Sequence, residues 1–320
     1  MVKQKTIQSE ISLTGVGLHT GKEVKMTFKP APIDNGFTFV RVDLEGCPII
    51  EADANYVVNT QRGTNLEKLG VKIQTNSNIE NIITENGAAT GIICNGEIIK
   101  SDIVLSGADY HHTETLLEEK DRQYSEKYWE RKTFAPSSLL FYVGFDKKLI
   151  NVEHHSLFFD TSFDNHAKEI YDNPQWPKEP LFYASFPSKT DKSAAPEGKE
   201  AGIFLIPLAP GIEDTTEIRE KYFNIIIERF EKLTTQNVKN SIIFKESFCV
   251  NDFIKDYNSY KGNAYGMANT LLQTAFLRPR LKSKKVAQLY FTGQLTVPGP
   301  GVPPSLISGK LVSELIKKYE

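Results

Sequence analysis

The stretch LYFTGQLTVPGPGVPPSLISGKLVSELIKKY, residues Leu289–Tyr319, decides the fold of this chain. Leu289–Thr292 is a short apolar, aromatic and β-branched run, which predicts a buried strand. Gly293–Gly301 holds three glycines and two prolines, the composition of a tight turn whose backbone can come close to something else. Pro303 and Pro304 suit the first turn of a helix, where a missing N–H costs nothing. Beyond Ser305, the residues Leu306, Leu311, Val312, Leu315 and Ile316 fall near helical spacing. Strand, glycine-rich turn and helix start together make an anion site, because free N–H groups and the positive end of the helix dipole point outward together. The same residues fit a plain glycine-rich connection closing an α/β domain.

Upstream of that stretch the chain is rich in strand signals. VKIQTN (from Val71), NIENIITENG, AATGIICNG and EIIKSDIVLSGAD are apolar runs separated by the pairs Asn86–Gly87 and Asn95–Gly96. Asn-Gly between apolar runs predicts two-residue hairpins, so a β-meander is expected here. Thr113–Trp129 reads as a charged helix. Ser138–Phe145, Tyr183–Pro187 and Gly202–Pro207 read as strands. Thr216–Thr234 carries Ile218, Tyr222, Ile225, Ile226, Phe230 and Leu233 on one helical face. His111–His112 and His154–His155 are adjacent pairs; neighbours in a strand point to opposite faces and rarely share one ion. Nearer the N-terminus, Ile7–Ile11, Glu23–Lys29 and Phe37–Val42 predict three strands. The glycine-rich run Thr14–Gly21 around His19 reads as a turn.

The totals bound the rest. A chain of 320 residues can form one large domain or two smaller ones. Its net charge of −2 gives no basic field, so a nucleic-acid partner is not expected. Cys47, Cys94 and Cys249 are far apart and lack C-x-x-C spacing, which suits a reducing cytoplasm and offers no metal cage. MVKQKTIQSE has no apolar signal core, and no apolar run is long enough for a bilayer. The expected location is the cytoplasm, with a place peripheral to the inner membrane left open.

Three runs carry a resemblance: GQLTVPGPGVPPSLISGKLVSELI near the C-terminus, YKGNAYGMANTLLQTAFLRP at Tyr260–Pro279, and GADYHHTETLL at Gly107–Leu117. Together, from about Leu69 to the end and in the family's order, they resemble the phytoene desaturases, FAD-dependent members of the amine-oxidase-like flavoprotein superfamily. The resemblance implies a FAD cofactor met by Gly293, Gly299, Gly301, Val302, Ser308 and Gly309, and a long apolar polyene substrate. It implies no particular general base. It also implies that an intact enzyme opens with a G-x-G-x-x-G strand–turn–helix unit for the FAD pyrophosphate, and no such motif occurs in these residues. The 19 Phe and 13 Tyr of the chain, many of them within residues 111–284, are compatible with a polyene pocket, although aromatic side chains at helical or strand spacing are more often ordinary core.

The first residues resemble something else. TGVGLHTGKEVKMTFKPAP, FVRVDL and VVNTQRGTNL, ending near Leu66, are similar to the N-terminal end of the zinc-dependent UDP-3-O-acyl-N-acetylglucosamine deacetylases, where the residue matching His19 lies near the substrate pocket. The zinc-ligand motifs of that family do not follow. The two likenesses meet at Leu66–Thr75 without a Pro/Gly/Ser-rich linker, as an abrupt join would leave them.

The expected fold is α/β (α+β): residues 1–66 a small deacetylase-like, β-rich fragment, 67–110 with 285–320 a partial FAD-binding domain lacking its N-terminal Rossmann unit, and 111–284 a mixed-sheet substrate domain. The expected function is that of a FAD-dependent carotenoid desaturase, inactive as this chain stands, with no metal site. The alternatives are a deacetylase fragment and a non-catalytic chimera.

Overall fold

The computed structural model describes residues 11–16, 23–30, 40–45 and 70–319. Contacts divide the chain into Met1–Ser77 and Asn78–Glu320. In the first unit β1 (Ile11–Val16), β2 (Glu23–Pro30) and β3 (Val40–Glu45) form an antiparallel sheet in that order. Thr14–Val16, expected in the turn around His19, belong to β1. Residues 7–10, 17–22 with His19, and 37–39 lie outside the described residues. Val71–Thr75, expected as a strand, is not one; Val71 and Ile73 are 45% and 49% exposed, so the alternation there has no partner to bury it.

The second unit starts with the meander. β4 (Ile79–Glu85), β5 (Ala88–Cys94) and β6 (Glu97–Lys100) pair antiparallel in sequence order. Both Asn-Gly turns hold two consecutive positive φ values, +51° and +79° at Asn86–Gly87 and +50° and +79° at Asn95–Gly96, the combination a tight hairpin needs. β7 (Val104–Ser106) follows, then α1 (Tyr110–Thr115) and α2 (Glu126–Glu130).

The single helix expected over Thr113–Trp129 is therefore broken. Glu114 causes the break. Its carboxylate turns inward and accepts the N–H of Gln123 at 2.7 Å and of Tyr124 at 3.1 Å, which fixes a chain reversal. Ser125 then caps α2 by accepting the Tyr128 N–H.

Next comes β8 (Ser137–Phe145), β9 (His155–Phe158), α3 (Phe163–Tyr171), β10 (Phe182–Ser185), β11 (Glu200–Leu208), α4 (Thr216–Thr234), β12 (Ile242–Phe248) and α5 (Val250–Tyr257). The strands form one sheet, order β12-β8-β11-β10-β9, every neighbouring pair antiparallel. Leu139, Phe141, Val143 and Phe145 of β8 and Phe204, Ile206 and Leu208 of β11 pack with Tyr222, Phe223, Ile226, Ile227 and Phe230 of α4. Burial of each large side chain contributes about 1.5–3 kcal/mol, so this face holds the sheet and α4 together. Ile225 and Leu233, expected on the buried face, are not in that core, and Leu233 is 43% exposed. The helical period places Phe223 and Ile227 there instead.

The chain closes with β13 (Leu289–Phe291) and α6 (Val302–Tyr319). β13 pairs parallel with β7, Leu289 opposite Val104 and Phe291 opposite Ser106. Both faces of β13 are covered, as a parallel strand requires. Leu289 and Phe291 pack into a cluster with Ile82, Ala89, Tyr110 and Trp129, while Tyr290 packs with Val312 of α6.

Candidate functional site

The carboxyl ends of β7 and β13 open into one cleft of about 440 Å³. Gly107, Ala108 and Asp109 follow β7 into it, and Thr292, Gly293, Gln294 and Leu295 follow β13. Ser305 enters from the first turn of α6, Phe253 and Tyr257 from α5, and Ser259, Asn263 and Ala264 from the loop after α5. The crevice beyond the carboxyl ends of parallel strands is where ligands of open α/β sheets bind.

The walls are tied by buried polar groups. Asp109 accepts the His112 N–H and, from across the cleft, the Tyr260 N–H, each at 3.2 Å. Burial raises its pKa, and those two N–H bonds oppose the rise. Asn263, 1% exposed, donates to the Tyr260 carbonyl at 2.7 Å and accepts the Gly266 N–H at 2.6 Å. A Cβ on Gly262 would sit 2.5 Å from the Val250 carbonyl oxygen, so only glycine lets this loop lie on α5.

The glycine-rich turn is built as the sequence predicts. Gly293, Gly299 and Gly301 have φ of +102°, +133° and +114°. Gly293 lines the cleft. Gly299 lies against Arg278 and Asn269: a Cβ there would be 2.9 Å from Nη2 of Arg278. Gly301 starts α6, with its carbonyl accepting the Ser305 N–H at 3.0 Å. Val302 is 67% exposed. Gly309 packs near Thr292, a Cβ reaching its Oγ1 at 4.0 Å.

Ser308 does something narrower than touch a ligand. It is fully buried, its Oγ accepts the Gly293 N–H at 3.0 Å, and it lies 3.0 Å from the Thr292 hydroxyl and 2.7 Å from that of Thr296. It fastens the turn to α6.

Arg278 was not singled out by sequence reasoning. It is 2% exposed, and Nη2 donates to the Met267 carbonyl at 2.7 Å and to Asn269 Oδ1 at 2.8 Å. Nε and Nη1 have no acceptor. Burial lowers its pKa, and the nearby Tyr128 opposes that. A buried cation with two unused donors beside Gly299 and near a helix start is a positive environment. It fits the electron-accepting end of a flavin, where negative charge builds on reduction. Asp109 is held across a long sequence separation by Tyr260, whereas Asn263 and Arg278 bond to residues near them in the chain; the local signals are an Asp after a short strand and an Arg before a proline.

Among the described residues no three His, Cys, Asp or Glu side chains converge on one point. His111 instead pairs with Glu126 at 2.9 Å, and His155 with the Tyr183 hydroxyl at 2.5 Å.

Comparison with known proteins separates the two ends of the chain. The family model for UDP-3-O-acyl N-acetylglycosamine deacetylase matches residues 4–83, running past Leu66 and into β4. The carotenoid 3,4-desaturase of Haloarcula japonica is 40% identical over 251 residues, 78% of this chain and 51% of that protein. The 4,4'-diapophytoene desaturase (4,4'-diaponeurosporene-forming) of Staphylococcus aureus strain Newman is 34% identical over 271 residues, 79% of this chain and 53% of that protein. In fold, the chain is similar to an oxidoreductase from Methanosarcina mazei, with a TM-score of 0.50 at 15% identity over 79% of this chain and 51% of that one. The chain spans about half the length of the curated relatives it matches. Over its C-terminal 78% it is homologous to the carotenoid desaturases, and a segment matching the deacetylase family stands in front of that homology.

Proposed function

We propose that this chain carries the flavin-facing and polyene-facing part of a carotenoid desaturase, and that the activity it serves is FAD-dependent introduction of double bonds into a polyene. The observation that carries this reading is the 40% identity to a carotenoid 3,4-desaturase over 251 residues. The cleft at the carboxyl ends of β7 and β13, which Gly293 lines, supports it. In this reading, residues 78–110 and 285–319 are the cofactor-facing layer and 111–284 the substrate domain.

Gly293, Gly299 and Gly301 present main chain to the flavin, and Val302 meets it at the start of α6. Ser308 and Gly309 act behind that surface, holding α6 against Thr292 and Gly293. When bound, the flavin supplies the hydride acceptor for a C–C bond that offers no polar handle. The chain's own work is then to orient the hydrocarbon and exclude water. The Val302 N–H, the positive end of the α6 dipole and the Arg278 guanidinium favour negative charge beside Gly299.

Among the described residues no helix is long and apolar enough to cross a membrane. Leu271, Leu272 and Phe276 are 88%, 75% and 88% exposed, and the exposed Arg280, Lys284 and Lys285 follow. That combination supports a peripheral position on an anionic lipid surface, where an apolar substrate would be met.

The test replaces Met1–Leu66 with the part of the Haloarcula japonica desaturase that the chain does not match. The fused protein, given FAD and a C40 polyene in detergent micelles, is expected to lengthen the conjugated system, read as a red shift of the polyene absorbance. A fusion that binds FAD and leaves several carotenoid precursors unchanged would sink the reading.

A further inference from the structure

Arg278 carries a charge that no other described residue neutralises. It is 2% exposed, and its Nε and Nη1 are buried without an acceptor among the described residues. No carboxylate among them forms an ion pair with it. Two half-buried arginines of the same unit differ: Arg219 meets Asp214 at 2.6 Å and Asp252 at 2.7 Å, and Arg229 is paired with Asp160. Taking an unpaired cation out of water is costly, and the two bonds that Arg278 makes need no charge. Its Nη2 donates to the Met267 carbonyl and to Asn269 Oδ1, and a neutral amide could donate to both. A structural role accounts for the hydrogen bonds of this side chain and not for its charge.

The charge sits behind the turn that leads into α6. A Cβ at Gly299 would stand 2.9 Å from Nη2, 3.2 Å from Nε and 3.1 Å from Asn269 Oδ1, so the main chain of Gly299 lies directly against the guanidinium. Three residues on, α6 begins at Val302, and its dipole adds positive potential at the same turn. Nε and Nη1 are sealed from solvent. The guanidinium therefore acts on an occupant of the turn through its field and not by contact, which separates ligands by charge more than by shape. Asn269 decides how strong that field is. Because this partner is an amide and not a carboxylate, the guanidinium keeps its full charge.

We propose that Arg278 and Asn269 act as a charge selector for the turn Gly299–Val302, making it hold a planar anionic ring at least tenfold more tightly than a neutral ring of like shape. This rests on the desaturase reading for its occupant, the flavin ring, which is neutral when oxidised and singly negative once it has taken up a hydride, two electrons with one proton. Both residues are positioning residues, since neither touches the occupant. Coulomb attraction through a few ångströms of dry protein is ample for a tenfold preference. A tenfold preference for the reduced over the oxidised ring raises the potential of the two-electron couple by about 30 mV. The selector thus favours transfer of electrons from the hydrocarbon to the ring.

The experiment uses the full 320-residue chain and two small planar probes. Barbiturate is an anion at neutral pH whose O=C–N–C=O edge matches the pyrimidine edge of the reduced ring, and uracil is its neutral counterpart. Equilibrium dialysis gives the dissociation constant of each, and barbiturate is expected to bind at least tenfold more tightly. Asn269→Asp keeps an oxygen against Nη2 and sets a negative charge beside the guanidinium. At this exposed position it should leave the melting temperature unchanged or raised and bring the ratio of the two constants close to one. Arg278→Lys keeps the charge and should keep the preference, whereas Arg278→Gln should abolish it. If the Arg278 variants fail to fold, Asn269→Asp decides alone. A ratio near one in the unmodified chain, no binding of either probe, or a ratio that Asn269→Asp leaves unchanged overturns the proposal. If the fusion described above desaturates while the ratio is one, the selector falls and the desaturase reading stands. If the preference is found and the fusion holds FAD without desaturating, the selector stands and that reading falls.

Discussion

Glu114 is buried at 2% exposure, and three donors reach its carboxylate: the Gln123 and Tyr124 N–H groups and the Trp129 indole at 3.2 Å. Burial dominates and pushes its pKa up to about 7, against the donors. Because the folded value lies above the unfolded one, near 4.5, the folded chain holds this proton more tightly. The contribution to stability is full below about pH 4.5 and is lost as pH rises through about 7. The shift corresponds to about 3 kcal/mol. Glu114→Gln should flatten the pH dependence between those limits, measured as the difference in melting temperature at pH 5 and pH 8. An unchanged difference would show that Glu114 does not titrate there. At this scale the sequence discloses residues whose backbone is unusual: Gly293, Gly299 and Gly301 are legible because only glycine tolerates their φ. Glu114 and Arg278 are not, because the burial of a charged side chain leaves no pattern in the local sequence.

Among the elements, α6 separates pattern from packing. The apolar spacing of its sequence points to Leu306, Leu311, Val312, Leu315 and Ile316 as the buried stripe. The last four do pack around Tyr290, but Leu306 is 42% exposed, and the buried residue of that turn is Ser308. The turn after β13 leaves polar groups facing α6, and a hydroxyl meets them where a leucine could not. Leu306→Ser should therefore change stability by no more than about 0.5 kcal/mol. Ser308→Ala strands the Gly293 N–H and should cost about 1–3 kcal/mol. Urea unfolding of both variants checks this, and equal effects would refute the assignment. Phe204→Ala, in the centre of the five-stranded sheet, should cost about 3–5 kcal/mol by the same measurement. Strands β4, β5, β8 and β11, the hairpin turns and α4 were legible because period and turn chemistry agree there. The break between α1 and α2 was not, since an inward-turned Glu looks like any other charge in a helical run.

At the scale of the whole molecule, the distribution of cofactor contacts decides what the chain can hold. In the proposed reading, the turn and helix start would meet only the flavin end of FAD. The resemblance assigns the pyrophosphate and ribose to a G-x-G-x-x-G unit that these 320 residues do not contain. Each charge-assisted hydrogen bond of that kind contributes about 1.5–3 kcal/mol. Three of them are worth more than about a thousandfold in affinity, at about 1.4 kcal/mol per factor of ten. The chain by itself should therefore purify colourless, while the fusion carrying the unmatched remainder of the Haloarcula japonica desaturase should purify yellow. Gly301→Val in that fusion should bleach it again. At φ +114° a β-branched residue is strained, and its side chain would stand where the main chain must approach the flavin. Fluorescence titration with FAD measures all three, with the melting temperature of each apoprotein recorded alongside to separate lost binding from lost folding. A full equivalent of FAD on the unmodified chain would mean that the grip on the cofactor lies in the turn after β13 and in Arg278, and that the nucleotide end contributes little.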